Sequence, residues 1–319
     1  MTLDQHITLA PVVCPNCGQD NFQVVAVGPD YENHCCGTQE FQLVQCKNCQ
    51  TVYLNPRPTP DMLHRIYGVE DYYSYDFAET ANPIVVRARE RRDMGKIAQV
   101  LQTVGRPIQD LQVVDIGAGD GALLDSFHRA GVPLQQLTGV EIEQIAIDKY
   151  QSRGMRGILG QAETLDLPAE SVDVFCMIQV IEHIANPKEV VKKLYSLLRP
   201  GGVFLIETPN FDAWDRRFFR RKTWGGYHFP RHWTLWSKPT MHQFLGDCGF
   251  EIALMQTPPA AVLWAWSINH VLQDKGASPG LQKVFGMNNP FVLALLLGLE
   301  FIPSQLGASA NMRVIARKP

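Results

Sequence analysis

Hydrophobic positions along this chain follow two alternating periods. The stretches 111–116, 137–142, 172–178 and 202–207 are near-continuous apolar runs of strand length. Such runs fit strands buried on both faces of a parallel sheet. Between or after them, 121–130, 143–153, 187–198 and 239–248 carry apolar residues at helical spacing. Strand and helix in strict alternation predict a doubly wound α/β sheet. Gly201 and Gly202, after Arg199-Pro200, make the turn into a strand. Two further strands fit 250–256 and NMRVIARK at 311–318. Between those two, residues 257–309 hold Trp264, Trp266 and the run FVLALLLGLEFI, which predicts an apolar helical insertion before the last strand.

The first third of the chain has a different texture. Residues 1–56 are rich in Cys, Asn, Gln and Gly, with two short β-prone runs, QVVAVG and EFQLVQC. Residues 57–108 hold a Pro-rich link, an aromatic cluster (Tyr67, Tyr72, Tyr73, Tyr75, Phe77) and a helical stretch. That helix should start near Pro83, a good first-turn residue, and stop near Gly105. The organisation expected is a small module over 1–56, a linker with helices over 57–108, and an α/β domain over 109–319.

Composition narrows the classes. At 319 residues, 45% hydrophobic and 19% charged, the chain can bury a large core. A formal net charge of −3 gives no electrostatic case for nucleic acid, although Arg216 to Lys222 is locally basic. The apolar run Phe291 to Leu297, extending loosely to Ile302, is shorter than the roughly 20 residues a bilayer span needs. The opening MTLDQHITLA lacks a basic region followed by a long apolar stretch, so a cytoplasmic, reducing setting is expected. There the eight cysteines suit metal better than disulfides.

Cys14-Pro-Asn-Cys17 and Cys46-Lys-Asn-Cys49 are two C-x-x-C knuckles. Each aims two thiolates at one ion, and the pair completes a closed tetrahedral site for a structural Zn2+. The intervening residues 18–45 exceed the usual ribbon spacing but hold the two β-prone runs, enough for a ribbon hairpin. Four unrelated cysteines would explain two matched knuckles poorly. A redox C-x-x-C normally opens a helix of a βαβ unit, and neither knuckle does. Cys35 and Cys36 are either alternative ligands or turn residues, and Cys176 and Cys248 read as core.

The turn VVDIGAGDGALL, Val113 to Leu124, carries the strongest chemical signal. Gly117, Gly119 and Gly121 let backbone approach a ligand and let a helix start tightly. The spacing G-A-G-D-G is not G-x-G-x-x-G, and Asp115 inside the turn would repel a pyrophosphate while suiting a cationic amino group. The pattern D-x-G-x-G-x-G resembles motif I of the class I S-adenosylmethionine-dependent methyltransferases, of the methyltransferase-23 and ubiquinone O-methyltransferase type. SVDVFCMIQVIEHIANP, LLRPGGVFLIETPN and RHWTLWSKPTMHQFLGDCGFEI continue the resemblance in order. A zinc-ribbon start followed by NPRP and an aromatic YY is similar to a bacterial group among small-molecule and sugar methyltransferases.

The resemblance implies a Rossmann-like seven-stranded sheet and a set of cofactor contacts. Asp115, Gly117, Ala118, Gly119 and Gly121 would face S-adenosylmethionine; Glu141, with Ile142 beside it, would accept from the ribose hydroxyls. Gln161, Ala162 and Glu163 match the adenine segment, with Gln161 where the family often has Asp. Gln179, Glu182 and His183 match an E-x-x-E-H pattern whose carboxylates are proposed to hold a divalent ion. Gln179 removes one carboxylate, so turnover is expected without such an ion.

Methyl transfer also needs a group to take the acceptor's proton. His228 and His232, in GGYHFPRHWTLW after the fifth strand, are the leading candidates, and His183 the third. Arg231 should point elsewhere or anchor an anionic acceptor group. Tyr72, Tyr73 and Tyr75 either close over the cofactor or pack the linker. The expected partner is a small-molecule acceptor, sugar, lipid or quinone-like. The apolar insertion over 257–309 walls an acceptor pocket, touches a membrane surface, or buries itself against the sheet or a second copy. The rival classes are a non-catalytic binding protein and an NAD-dependent enzyme. Intact Asp115 and Glu141 speak against the first.

Overall fold

A computed structural model describes residues 6–67, 82–219, 222–286 and 289–319. Its N-terminal part forms β1 (Leu9–Ala10), β2 (Phe22–Pro29), β3 (Glu40–Cys46), β4 (Val52–Leu54), β5 (Arg57–Pro58) and a short α1 (Leu63–Tyr67). A long α2 (Pro83–Val104) follows. Asn82 caps it by accepting from the Ile84 amide, Pro83 fills its first turn, and left-handed Gly105 ends it. Tyr72, Tyr73, Tyr75 and Phe77 lie outside the described residues.

The alternating region gives β6 (Val113–Ile116), α3 (Ala122–Arg129), β7 (Leu137–Glu141), α4 (Gln144–Ser152), β8 (Arg156–Leu159), β9 (Val172–Ile178), α5 (Pro187–Leu197) and β10 (Leu198–Pro209). Then come α6 (Arg216–Phe219), β11 (Thr234–Leu235), α7 (Lys238–Asp247) and β12 (Glu251–Gln256). The chain closes with α8 (Ala261–Asp274), α9 (Pro279–Val284), α10 (Pro290–Gln305) and β13 (Asn311–Arg317). The seven-stranded sheet runs β12-β13-β10-β9-β6-β7-β8. Strands β6 to β10 pair in parallel, while β13 is antiparallel to both β10 and β12.

Strand alternation sorts the side chains between two layers. Val114, Phe175, Met177, Phe204 and Ile206 pack on the α5 and α7 side with Leu194 and Phe244. Val113, Val174, Cys176, Val203 and Leu205 pack on the other side with Ile97, Leu124 and Phe127. One strand of this seven-stranded sheet, β8, went unread in the sequence. In β8, Arg156 and Gly157 sit on a half-exposed edge, so no apolar run marks it.

The N-terminal module is built onto the large domain. The four-stranded sheet order is β11-β4-β3-β2, so β11 of the large domain extends the module's own sheet. The Leu54 amide also donates to the Trp233 carbonyl. Below them one core mixes Ala26, Phe41, Leu43 and Leu54 with Trp224, Tyr227, Trp233, Leu235 and Leu263.

The insertion is helical, as its apolar pattern predicts. Glu300, fully buried on α10, accepts from the indole nitrogens of Trp214 and Trp264, each at 2.7 Å, and from the Ser309 hydroxyl. One face of α10 stays open: Phe291 is 86% exposed and Leu295 67%. Among the described residues no helix is long and apolar enough to cross a membrane. Of the basic stretch, Arg216 is tied to the Phe211 carbonyl and Lys222 pairs with Asp274; Arg220 and Arg221 lie outside the described residues.

Candidate active site

The strand order reverses at β6. β7 and β8 lie to one side of it, β9 and β10 to the other. In open α/β sheets the crevice at the carboxyl ends beside such a switch is where ligands bind. The glycine turn sits there, between β6 and α3. Gly117, Gly119 and Gly121 all adopt positive φ, at 69°, 56° and 77°. A Cβ on Gly117 would stand 2.5 Å from a Val180 methyl, so the loop between β9 and α5 closes tightly on the turn.

Asp115 is 3% exposed, and its Oδ1 has no hydrogen-bond partner. Burial pushes its carboxyl up to about 8, Lys96 opposing and Asp93 and Glu141 adding to the rise. Glu141, at the end of β7, accepts from the Gly119 amide at 3.3 Å and from the Ile142 amide at 2.7 Å. Beside it Ile142 is 52% exposed. Ala118 and Ala162 are buried, whereas Gln161 and Glu163 are exposed, with the Gln161 carbonyl accepting from the Thr164 hydroxyl. Gln179 is left-handed and donates to the Asn311 side chain at 2.9 Å.

Behind the turn lies a charged network that sequence reading missed. Arg89 grips Asp120 through two nitrogens, each at 3.0 Å. Buried Lys96 bridges Asp93 at 2.8 Å and Glu207 at 3.4 Å, and Arg313 holds Glu207 at 2.6 Å. Burial alone would raise the Glu207 carboxyl, but Lys96 and Arg313 outweigh it and hold it down at about 2. No sequence spacing signals it, because its members come from α2, the glycine turn, β10 and β13.

The three histidines named from the sequence meet. Ring centroids lie 4.8 Å apart for His183–His232, 4.8 Å for His228–His232 and 6.2 Å for His183–His228. His232 Nδ1 donates to the Gly226 carbonyl at 2.9 Å, and His183 Nδ1 faces the Arg231 carbonyl at 3.0 Å. Those carbonyls only accept, so each Nδ1 carries the hydrogen and each Nε2 is left as an acceptor. Burial, then the neighbouring His228, pushes His183 down to about 3 and His232 well below the usual range, so both rings are neutral. His228 stacks on Trp266 at 5.5 Å, and its Nδ1 lies 3.2 Å from a Glu32 oxygen.

Glu182 is fully buried. Its Oε2 accepts from the Thr208 hydroxyl, its Oε1 is unpartnered, and burial pushes it up to about 8. With His183 and His232 it offers ligand atoms all within 4.8 Å of one another, a larger set than the two groups counted from sequence. Arg231 is no anchor for an acceptor anion. It is 2% exposed and tied to Asp30 at 2.9 Å and to the Ile66 carbonyl at 2.9 Å.

The four knuckle cysteines converge, with Sγ atoms within 4.8 Å of one another. Cys14–Cys49 and Cys17–Cys46 are each at 3.5 Å. Tetrahedral Zn–S bonds of about 2.3 Å would set thiolates about 3.8 Å apart, so the donor set fits that ion. Cys35 and Cys36 stand outside this group, Cys35 donating to Asp30 at 3.1 Å. Cys176 and Cys248 are buried in the core, and all eight thiols are free.

Known proteins can now be set beside this geometry. A ubiquinone biosynthesis O-methyltransferase from Parvibaculum lavamentivorans is 35% identical over 108 residues, which cover 33% of this chain and 43% of that one. A mitochondrial counterpart from Dictyostelium discoideum is 24% identical over 49% of each chain. The chain thus spans half or less of the length of these curated relatives. Among solved structures, a geranyl diphosphate C-methyltransferase from Streptomyces coelicolor superposes with a TM-score of 0.54 at 13% identity, over 82% of this chain and 98% of that one. That likeness shows the fold. The family profile described as a methyltransferase domain matches residues 87–254, from α2 through β12 and so across the glycine turn, Glu141 and Glu182-His183. With more than half of its length matched, the chain belongs to this methyltransferase-domain family.

Proposed function

We propose that this protein transfers a methyl group from S-adenosylmethionine to a small-molecule acceptor. The observation that carries the reading is Asp115, a buried carboxylate with an unpartnered oxygen beside a glycine turn at the sheet's switch point. A cationic amino group fits there, since it would supply the missing donor and favour the ionised carboxylate. Gly117 to Gly121 let the protein backbone approach the ligand, Glu141 offers acceptor oxygens to ribose hydroxyls, and Ile142 offers a face to a flat base. We assign Gln161, Ala162, Glu163 and Gln179 to the same site.

When bound, the cofactor supplies an electrophilic methyl on a sulfonium. His228 is the base we assign. It accepts the proton of the acceptor as the nucleophilic atom bonds the methyl, while the carbon–sulfur electron pair stays with sulfur. His183 and His232, neutral with acceptor Nε2 atoms, orient the acceptor's donors. We assign one structural Zn2+ to Cys14, Cys17, Cys46 and Cys49, and a reducing, cytoplasmic setting keeps those thiols available. The acceptor class, sugar, lipid or quinone-like, follows from the resemblance and from the apolar wall of α8 and α10. The open face of α10 is assigned to a membrane surface or a second copy; vesicle flotation and sedimentation tell the two apart.

The test has two stages. S-adenosylmethionine, and not NAD, should raise the melting temperature; a ligand at 100 times its Kd adds about 2.7 kcal/mol. Labelled cofactor incubated with a metabolite extract should then mark an acceptor, and His228→Ala should lower that labelling by roughly 10²–10⁴-fold. A shift by NAD alone overturns the reading. Full labelling by His228→Ala moves the base to His183 or His232.

A further inference from the structure

We propose that Glu32, from the N-terminal module, is a positioning residue for His228, so that this module completes the active site; the proposal rests on His228 as the base. Glu32 stands in the loop between β2 and β3. One of its oxygens lies 3.2 Å from His228 Nδ1 and 3.0 Å from His270 Nε2 on α8. The side chain is 14% exposed. A single carboxylate thus joins three segments far apart in sequence: the ribbon hairpin, the loop carrying the histidines, and the insertion.

The residues around Glu32 hold it there. Asp30 pairs with Arg231 at 2.9 Å, and Tyr31 stacks on the His270 ring at 4.6 Å while donating to Asp274 at 2.7 Å. Three successive residues of one loop therefore reach four partners in the large domain: Arg231, His270, Asp274 and His228. His270 Nδ1 is in turn held by the Thr223 carbonyl at 3.2 Å. His228 itself is left-handed, at φ 40°, a conformation a non-glycine residue keeps only where its surroundings impose it.

The chemistry of the contact is directional. The contact is an ion-pair approach and not an aligned hydrogen bond, since among the described residues neither His228 Nδ1 nor either Glu32 oxygen makes one; the carboxylate charge 3.2 Å from Nδ1 still favours hydrogen on Nδ1, which leaves Nε2 free to take a proton. It also stabilises the imidazolium that results. The other groups facing His228 do not duplicate this. His183 and His232 are held neutral by burial, Trp266 presents an apolar ring, and Arg231 is occupied by Asp30. Against the cost of its own burial, Glu32 stays ionised through the two histidines, which hold it well below the usual carboxylate range.

The test uses the zinc-loaded full chain with isotope-labelled histidine, followed by NMR across pH, and assigns His228 from a His228→Gln variant. In the wild type, His228 should show the Nδ1–H tautomer once deprotonated. Glu32→Gln removes the negative charge and can present either an N–H or a carbonyl to Nδ1, so the preference for the Nδ1–H tautomer should be lost. The same variant should lower methyl incorporation roughly 10²-fold or more at saturating cofactor. A wild-type Nε2–H tautomer, or an unchanged tautomer and full methyl incorporation in folded, zinc-bearing Glu32→Gln, overturns the proposal. The tautomer needs no variant, so it stands even where Glu32→Gln fails to fold. Full methyl incorporation by His228→Gln overturns the base reading instead, a separate outcome.

Discussion

Asp115 sets the first prediction. With its carboxyl pushed up to about 8, the apo-protein carries a proton there at neutral pH, one that the unfolded chain releases near pH 4. The folded state therefore binds the extra proton, and this site's contribution to stability falls as pH rises from about 4 to 8. A cationic ligand reverses the preference. Its binding should release a proton below pH 8, and affinity should climb between pH 6 and 8 by up to about tenfold per unit, then level off. Calorimetry in buffers of different ionisation heat measures that proton, and Asp115→Asn should abolish it. Equal heats in all buffers for the wild type would remove Asp115 from the cofactor site. Asp115 and Glu141 could be named from the sequence because each stands at the end of a buried strand, beside a glycine turn or at the next strand's tip, in a pattern that resembles a known motif. Glu32 and Arg231 were not legible, because their partners are some 200 residues away: Asp30 meets Arg231 across 201 positions. No spacing rule reaches that far.

Among the elements, the hairpin β2–β3 and the short β11 change what the zinc site means. The two knuckles alone suggest a ribbon whose unfolding on zinc removal would leave the core cofactor site largely intact. Yet β4 pairs with β11, and the histidine loop, residues 225–233, leads directly into it. Chelating the zinc, or Cys14→Ser with Cys46→Ser, should therefore release Asp30 and Glu32 and disorder that loop, while leaving the glycine turn on β6. One zinc per chain should be measured. After its removal S-adenosylmethionine should still bind within about tenfold, whereas methyl incorporation should fall roughly 10²-fold or more. Retention of full incorporation without zinc would separate the ribbon from the site. The long buried strands and the helices with caps were readable to within a few residues, β9 to the residue. What sequence could not show was the joining of β4 to β11, since a two-residue strand has no period to detect.

At the scale of the whole molecule, the insertion between β12 and β13 is anchored to the active site through one carboxylate. Glu300 accepts from Trp214 on the loop after β10, from Trp264 on α8, from the Ala260 amide at 3.4 Å and from the Ser309 hydroxyl just before β13. The helix it fixes, α8, also carries Trp266 and His270 behind His228, and Ser267 accepts from the Gly225 amide at 2.8 Å. The apolar pattern announced helices here but not this anchor, since a lone Glu within FVLALLLGLEFI reads as an interruption. Glu300→Ala would leave the two half-buried indole N–H groups without an acceptor, while the Ser309 hydroxyl keeps the Pro258 carbonyl at 2.9 Å. Each orphaned group costs about 1–3 kcal/mol, so a loss of roughly 2 kcal/mol or more is expected, visible as a lowered melting temperature. Hydrogen exchange should localise the loosening to α8 and α10 and spare β6, β9 and β10. Because α8 backs the histidines and not the glycine turn, methyl incorporation should fall more than cofactor affinity does. A variant with unchanged melting and exchange would show that apolar packing alone holds the insertion. If cofactor affinity fell as far as incorporation did, the insertion would instead be supporting the whole sheet.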